Sequence, residues 1–113
     1  MSIDEMANAI YELAKRGGVS FVEVEDLFGS KGFDYKGDLA LSAGCKNIHF
    51  WYGWNQNAID AMMKAQELGV RLVNDSVFVY YFDGKAWDVP IANVKKIKAG
   101  YKDEHWLPAV LCV

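Results

Sequence analysis

Apolar residues recur at helical spacing near the start of the chain and predict two helices there. The first helix, Ser2–Arg16, begins at a capping box in which Ser2 and Glu5 each satisfy a backbone group that the helix start leaves unpaired. The second, Ser20–Phe28, is shorter and begins at a capping box of the same kind. Glycine follows each helix and favours a helix end at both places.

A third helix is predicted over Asn55–Leu68, where Asn55 is a good N-cap and Gly69 is a good C-terminal residue. Between the second and third helices, several glycines break the chain into short pieces. Within that stretch, the segment Asp38–Ala43 begins with a capping residue and predicts a brief helix. The run Ile48–Tyr52 consists of β-forming residues and predicts a strand.

Three β-prone segments follow the third helix and predict a meander. Val70–Val73 is the first strand, and Val77–Phe82 is a second strand whose two faces are both apolar or aromatic, as in a central strand. The Asp-Gly pair after it predicts a tight hairpin turn, because both central positions of a type I′ turn need positive φ. Ala86–Val89 returns as the third strand, and the proline after it limits this strand to an edge.

These elements predict one α+β domain over residues 1–113, with the N-terminal helices packed on a small, mainly antiparallel sheet. The tail Trp106–Val113 is too apolar to remain in water, so we expect it to dock as a last strand or extended segment. The inward faces of the elements predict a core that contains Ile10, Leu13, Leu27, Ile59, Met62, Val79 and Leu111.

The order of helix, short helix, helix and β-hairpin resembles that of the winged-helix superfamily. The similar parts are Ser2–Arg16, Ser20–Phe28, Asn55–Leu68 and the hairpin Val70–Val89. The resemblance implies a DNA-binding transcriptional regulator in which Asn55–Leu68 reads base edges and the hairpin acts as a wing. The chain departs from the pattern because 26 residues, Gly29–Trp54, stand where a helix-turn-helix has a short turn. Either this stretch is an insertion, or the brief helix within it is the true third helix.

The charge balance argues against strong non-specific binding to nucleic acid, because that affinity comes mainly from neutralised phosphates. The chain has 12 Lys and Arg against 15 Asp and Glu, a net charge of −3, and residues 1–45 hold 4 basic and 8 acidic groups. On the helix that would read bases, Gln56, Asn57 and Lys64 are the polar candidates, and only Lys64 is a cation. If nucleic acid binds, we expect it at a basic segment where Tyr101 can stack a base, which contains Lys95, Lys96, Lys98 and Lys102.

Apolar types make up 52% and charged types 24% of the 113 residues, which is the composition of a globular protein and not of a disordered or fibrous one. The sequence shows no secretory signal, and no run approaches the ~18 apolar residues of a membrane span. We therefore expect a cytoplasmic protein with no membrane partner. Cys45 and Cys112 lie far apart and are expected to be unreactive thiols in a reducing compartment.

Cys45, His49, His105 and Cys112 have the residue types of a structural zinc site but not its usual spacing of two tight pairs. We expect buried thiols and packed imidazoles there, and neither a metal nor another cofactor. Glu104 beside His105 has the residue types of a general base with a carboxylate partner, although sequence neighbours seldom face each other in that way. No nucleophile, phosphate-loop or dinucleotide motif is present, so a small enzyme using His105 is only a second alternative and we assign no catalytic residue.

Seven large aromatic rings gather at the ends of predicted strands and in loops, and a small sheet cannot easily bury them all. Exposed Trp and Tyr mark partner surfaces, whereas the alternative is a thick aromatic core with Trp51 or Trp54 as a lid. We therefore expect a small non-enzymatic binding or regulatory module that acts through protein contacts, with the DNA-binding regulator as the alternative. The expected partner-binding residues are Trp51, Tyr52, Trp54, Tyr101 and Trp106.

Overall fold

The two N-terminal helices form where the sequence predicts them. The computed structural model describes residues 1–96 and 98–113, and of Lys96 it describes the backbone alone. Helix α1 spans Ile3–Ala14 and helix α2 spans Phe21–Ser30. Both predicted capping boxes are present, so local hydrogen bonds determine where these helices begin.

A β-hairpin occupies the stretch between α2 and the third helix. Strand β1 spans Lys36–Cys45 and runs antiparallel to strand β2, which spans Ile48–Trp54. The predicted helix at Asp38–Ala43 is therefore wrong, because these residues pair with β2, a partner that local helix propensity does not take into account. Glycine is required at position 37, since a Cβ on Gly37 would lie 2.7 Å from the carbonyl oxygen of Trp54.

Helix α3 spans Gln56–Leu68 and confirms the third predicted helix. The side chain of Asn55 caps it by accepting a hydrogen bond from the backbone N–H of Ala58 at 2.9 Å. Gly69 ends it with a positive φ of 127°. The helix packs against α1. Its buried face consists of Ala58, Ile59, Ala61, Met62 and Ala65.

The predicted meander is wrong after its first strand. Strand β3 spans Arg71–Asn74 and pairs antiparallel with strand β5, Ala109–Cys112. The segment Val77–Phe82, predicted as a central strand, instead contains a short helix, α4, over Phe78–Phe82. Ala86–Val89 forms no strand. The apolar tail of the chain takes the place beside β3 that the hairpin needed, which confirms that the tail docks as a strand.

Two small sheets result, and the described residues form one α+β domain. The first sheet has the order β1-β2-β4, in which the two-residue strand β4, His105–Trp106, runs parallel to β2. The second is the antiparallel pair β3-β5, and a bridge between Val19 and Leu111 ties it to the residues before α2. A single 3₁₀ turn, Val94–Lys96, precedes β4. Among the described helices, none combines the length and the hydropathy that a membrane span requires.

Aromatic side chains from several elements meet in the main core. Trp51 stacks with Phe21 and with Tyr80, at centroid distances of 6.0 and 4.9 Å. Trp54 lies edge-on to Phe21 and to Phe28. These rings fill the centre, and some of the predicted aliphatic core residues pack at its edge instead. Of the predicted core, Ile10, Ile59, Met62 and Leu111 are buried, whereas Leu13, Leu27 and Val79 are half-buried.

Candidate functional site

Three aromatic side chains of α4 are exposed to solvent, and together we call them the α4 patch. The exposed fraction is 63% for Phe78, 60% for Tyr81 and 90% for Phe82. The rings of Phe78 and Tyr81 meet edge to face, with centroids 5.9 Å apart. Large apolar side chains are normally withdrawn from water, so three exposed rings on one short helix suggest a contact surface.

The remaining aromatic residue of α4, Tyr80, is fully buried and holds the helix to the core. Its hydroxyl donates to the carbonyl oxygen of Ala109 at 2.6 Å and accepts from the backbone N–H of Phe21 at 3.2 Å. Burial raises the pKa of Tyr80 well above its usual range, so the hydroxyl keeps the proton that it donates. The ring packs against Trp51 and Trp106.

Two polar contacts secure the chain that follows α4. Ser20, which is buried at the N-cap of α2, donates its hydroxyl hydrogen to Asp83. Lys85 donates to Glu25 at 2.8 Å. Burial acts to lower the pKa of Lys85, but the hydrogen bond and the charge of Glu25 outweigh it and the pKa is raised. The α4 patch is therefore carried by a helix that is fixed at its middle and after its end.

The three tryptophans predicted to bind a partner are buried. Trp51 and Trp106 are 0% exposed, and Trp54 is 1% exposed. The indole N–H groups of Trp51 and Trp54 both donate to Oε2 of Glu25, at 2.8 and 2.9 Å. Trp106 donates to the carbonyl oxygen of Phe50 at 3.0 Å. These bonds satisfy the indole N–H groups inside the core. Because the three rings are buried, a partner cannot contact them, and the prediction that they bind a partner is wrong.

The two tyrosines predicted to bind a partner are half-buried, and each is stacked on a neighbouring ring. Tyr52 stacks on Trp87, with centroids 4.6 Å apart and an interplanar angle of 18°. Tyr101 stacks on His105, with centroids 3.6 Å apart, and its hydroxyl accepts from the backbone N–H of Asn93. Partner binding by these tyrosines stays a prediction.

The predicted basic segment is exposed where its side chains are described. The ring of Tyr101, which was expected to stack a base, is already stacked within the protein. The side chain of Lys96 lies outside the described part of the chain. Nucleic-acid binding here stays a prediction that rests on the exposed residues Lys95, Lys98 and Lys102.

Three of the six polar side chains of helix α3 make described contacts within the protein. Lys64 bonds to Asp4 of α1, and this bond raises the pKa of Lys64. Gln56 donates to Asp60 at 2.8 Å. Of the three residues expected to read bases, Asn57 alone is exposed without a described side-chain hydrogen bond. These contacts reduce what α3 can offer to a nucleic acid.

The candidate catalytic and metal-binding residues form neither a Glu104–His105 ion pair nor a metal cluster in the described structure. Glu104 lies beside His49, with its Oε1 3.8 Å from Nε2. Nδ1 of His105 lies 2.8 Å from a backbone carbonyl oxygen. Cys45 and Cys112 are half-buried free thiols. In the described part of the chain, no three His, Cys, Asp or Glu side chains lie together as metal ligands would.

Sequence patterns did not predict the α4 patch. Val77–Phe82 is a run of strong β-formers, and a central strand would have both of its faces covered. Only the pairing of β3 with β5 shows that the strand position beside β3 is taken. The signal that was available is the number of aromatic residues in this run, because a short helix on the surface buries one face and exposes the others.

No protein-family model matches the chain, and no curated protein or solved structure gives a significant match. The resemblance to winged-helix domains, whose hairpin segment contains α4 here, stays a prediction. The function is therefore inferred from the geometry of this chain alone.

Proposed function

We propose that the protein is a non-enzymatic binding module that contacts a partner protein through the α4 patch. The observation that carries this proposal is the exposure of Phe82, at 90%, only two residues from Tyr80, which is fully buried and bonded to the core. A helix that is fixed on one side and aromatic on the other presents its rings on one face. Exposed aromatic side chains on such an anchored helix are typical of the energetic centre of a protein interface.

The size of the patch supports a protein partner. Each aromatic ring can bury about 150–250 Å², so three rings that are roughly two-thirds exposed present about 400 Å². The largest apolar patch of an ordinary monomer is about 300–600 Å² and is often functional. The α4 patch thus has the area of an interface centre, to which surrounding residues add a rim.

The partner we propose is a different protein with a concave apolar pocket, and not a second copy of this chain. Two copies meeting ring to ring through α4 would set one exposed helix against another, which keeps the surrounding rims apart and limits the contact to about 400 Å² on each side, half of the roughly 800 Å² per partner of a stable interface. A concave pocket encloses the rings on several sides and contributes contacts of its own around them. The contact area therefore favours a complex with a different protein over a homodimer.

Site-specific photo-crosslinking tests this proposal. A photoreactive phenylalanine analogue replaces Phe82 in one variant and Met63 in the other, and Met63 is 54% exposed on α3 and serves as the matched control. We expect position 82, but not position 63, to capture one protein in the cells that express the chain, with the same result after nuclease treatment. With that protein purified, the double change Phe78→Ser and Phe82→Ser should weaken binding at least about tenfold, because aromatic anchors carry much of the energy of an interface.

Four outcomes contradict the proposal. Capture of a second copy of this chain would show that the α4 patch forms a homodimer and does not bind a different protein. Capture that disappears after nuclease treatment would move the function to nucleic acid. Equal capture from both positions, or a serine variant that binds the purified protein as tightly as wild type, would show that the α4 patch is not the contact surface. The serine variant should melt like wild type, because exposed positions change stability by less than about 0.5 kcal/mol.

A further inference from the structure

A groove of about 420 Å³ lies on the β1–β2 hairpin and shares no residue with the α4 patch. The side chains of Tyr52 and Trp87, whose rings stack on each other, are part of its lining. Residues of β1 around Leu39 line it as well. The carboxylate residues Asp38 and Glu104 also line the groove. The groove thus combines an aromatic wall with two acidic groups.

Both charged groups of the groove are acidic, and neither is neutralised by a described lysine or arginine. Asp38 is exposed, and the side chain of Glu104 is 59% exposed. Lys85, whose Nζ lies 5.6 Å from the centre of the Tyr52 ring, is already bonded to Glu25. Glu104 has an imidazole neighbour, with Nε2 of His49 3.8 Å from its Oε1, and Asp38 has no described charged partner. The groove therefore offers negative charge beside aromatic rings, and its charge is complementary to a cation.

We propose that this groove binds the guanidinium group of an arginine side chain in a partner peptide. A guanidinium is planar and stacks on an aromatic ring, and its N–H groups form a fork that matches the two oxygens of a carboxylate. Tyr52 already has Trp87 stacked on it and Lys85 over it, so the guanidinium would stack on the face of Trp87 that Tyr52 does not cover. Asp38 and Glu104 supply the oxygens. A lysine ammonium is a compact charge that uses neither the flat ring face nor the paired oxygens as well.

The open shape of the groove favours arginine within a peptide over free arginine. A small-molecule site usually buries about 70–90% of its ligand, which requires walls on most sides. Here Glu104 and Asp38 remain largely exposed to solvent, so the groove holds one end of a side chain and leaves the rest outside. Contacts of the flanking peptide residues must then supply the remaining affinity.

Nuclear magnetic resonance titration tests the proposal with short glycine–serine peptides that carry one central arginine. The comparison peptides carry lysine or the neutral isostere citrulline at that position, and free arginine is titrated separately. We expect the arginine peptide to shift the indole signal of Trp87 and to bind at least about tenfold more tightly than the citrulline peptide. The lysine peptide and free arginine should each bind several-fold more weakly.

Two double variants separate a site from general charge attraction. The double variant Asp38→Asn with Glu104→Gln should bind the arginine peptide at least about tenfold more weakly, because both acceptor groups lose their charge. Asp26→Asn with Glu67→Gln removes the same charge from exposed positions outside the groove and should leave the affinity within about twofold. Phe82→Ser should bind the peptide like wild type, so this test and the test of the α4 patch succeed or fail separately.

The proposal is overturned if wild type does not bind the arginine peptide, or if the citrulline peptide binds equally well. It is also overturned if both double variants lose the same affinity, because the attraction would then come from net charge alone. If free arginine binds as tightly as the peptide, the groove is a small-molecule site and the proposed peptide partner is wrong.

Discussion

The carboxylate of Glu25 is the polar centre of the aromatic core. Its Oε2 accepts from the indoles of Trp51 and Trp54, and its Oε1 accepts from Lys85. Glu25 is only 6% exposed, so water does not replace the two indole bonds if the carboxylate is removed, whereas Lys85, whose side chain is 43% exposed, can bond to water. Buried donors that lose their acceptor carry a large desolvation cost, and the lysine would lose its opposite charge as well.

We predict that Glu25→Ala lowers the free energy of unfolding by about 2–6 kcal/mol, because two buried indole donors each lose their acceptor at a cost of about 1–3 kcal/mol. Glu25→Gln should cost less, because the amide oxygen can still accept from an indole. Urea unfolding followed by tryptophan fluorescence measures both changes. The control is Glu12→Ala, whose side chain is 66% exposed and should change stability by less than about 0.5 kcal/mol. An alanine variant of position 25 as stable as this control would contradict the prediction.

Tyr80 makes stability depend on alkaline pH, because burial raises its pKa in the folded state. Above about pH 10 the unfolded chain releases the tyrosine proton while the folded chain still holds it. The stability contributed by Tyr80 is therefore complete below about pH 10 and is lost as the pH rises further.

We predict that Tyr80→Phe is less stable than wild type by about 1–3 kcal/mol at neutral pH, because the carbonyl of Ala109 loses its donor. The difference should be constant up to about pH 9 and should shrink as the pH rises above about 10, because only wild type has the buried Tyr80 hydroxyl whose proton the unfolded chain releases. Urea midpoints at several pH values measure both effects. Lys85 titrates in both proteins and so does not create the difference. A constant gap between the two proteins at all pH values would refute the prediction.

The stability of the start of α2 decreases at acidic pH because of Glu23. Its carboxylate accepts from the backbone N–H of Ser20 at 3.0 Å and from Arg16 at 2.6 Å. Burial acts to raise the pKa of Glu23, but these hydrogen bonds and the charge of Arg16 outweigh it, so the pKa is lowered. The stabilisation is therefore present above the usual glutamate pKa of about 4.5 and is lost as the pH falls.

We predict that Glu23→Gln keeps the capping box, since glutamine can occupy this position, but removes the ion pair. Wild type should lose more stability than the variant between about pH 6 and 3. Thermal melting across this range measures the difference. Glu5→Gln makes the same change in the capping box of α1, where Glu5 bonds to Ser2 and has no described arginine partner, and it should have less effect on the acid dependence. Parallel acid profiles for wild type and Glu23→Gln would rule this coupling out.

The elements that the sequence predicted correctly are those defined by local interactions. The starts of α1 and α2 depend on side chains three residues apart, and the bounds of α3 depend on Asn55 and Gly69. Ile48–Tyr52 was recognised as a strand because its β-forming residues suit both a local preference and a buried sheet. Each of these patterns is readable in a short window of the chain.

The wrong predictions concern elements whose structure depends on a pairing partner outside the element itself. Asp38–Ala43 is a strand because β2 pairs with it, and Val77–Phe82 is not a strand because β5 pairs with β3. The same limit applies to the predicted site, since the burial of Trp51 and Trp54 depends on Glu25, which is distant in sequence. A sequence pattern shows which residues prefer a sheet or a core, but not which neighbour is available to each.

At the scale of the whole molecule, the net charge of −3 limits any binding to nucleic acid. We predict that mixed-sequence duplex DNA binds weakly at low salt through Lys95, Lys96, Lys98 and Lys102, and hardly at all at physiological salt. Four neutralised phosphates correspond to a slope of roughly −3.6 in log K against log salt. Fluorescence anisotropy over a range of salt concentrations measures this slope.

Changing the four lysines of this segment to glutamine should abolish the low-salt binding. The charge-matched control changes four other exposed lysines, Lys15, Lys31, Lys36 and Lys46, and should bind more like wild type. Tight binding at physiological salt that survives the change of the four segment lysines would contradict the prediction. The site would then move to α3, and the DNA-binding regulator would become the better function.

Strand β5 lies near the C-terminal end of the sequence, so during synthesis it is made after the elements that it holds together. It pairs with β3, bridges to Val19, and supplies the carbonyl of Ala109 that fixes Tyr80. A nascent chain leaves the ribosome from its N-terminal end, so α1, α2 and the hairpin emerge while Trp51 still lacks the cover of Tyr80 and Trp106. The core is complete only after β5 has emerged. Until then the growing polypeptide exposes an aromatic surface, to which molecular chaperones would bind.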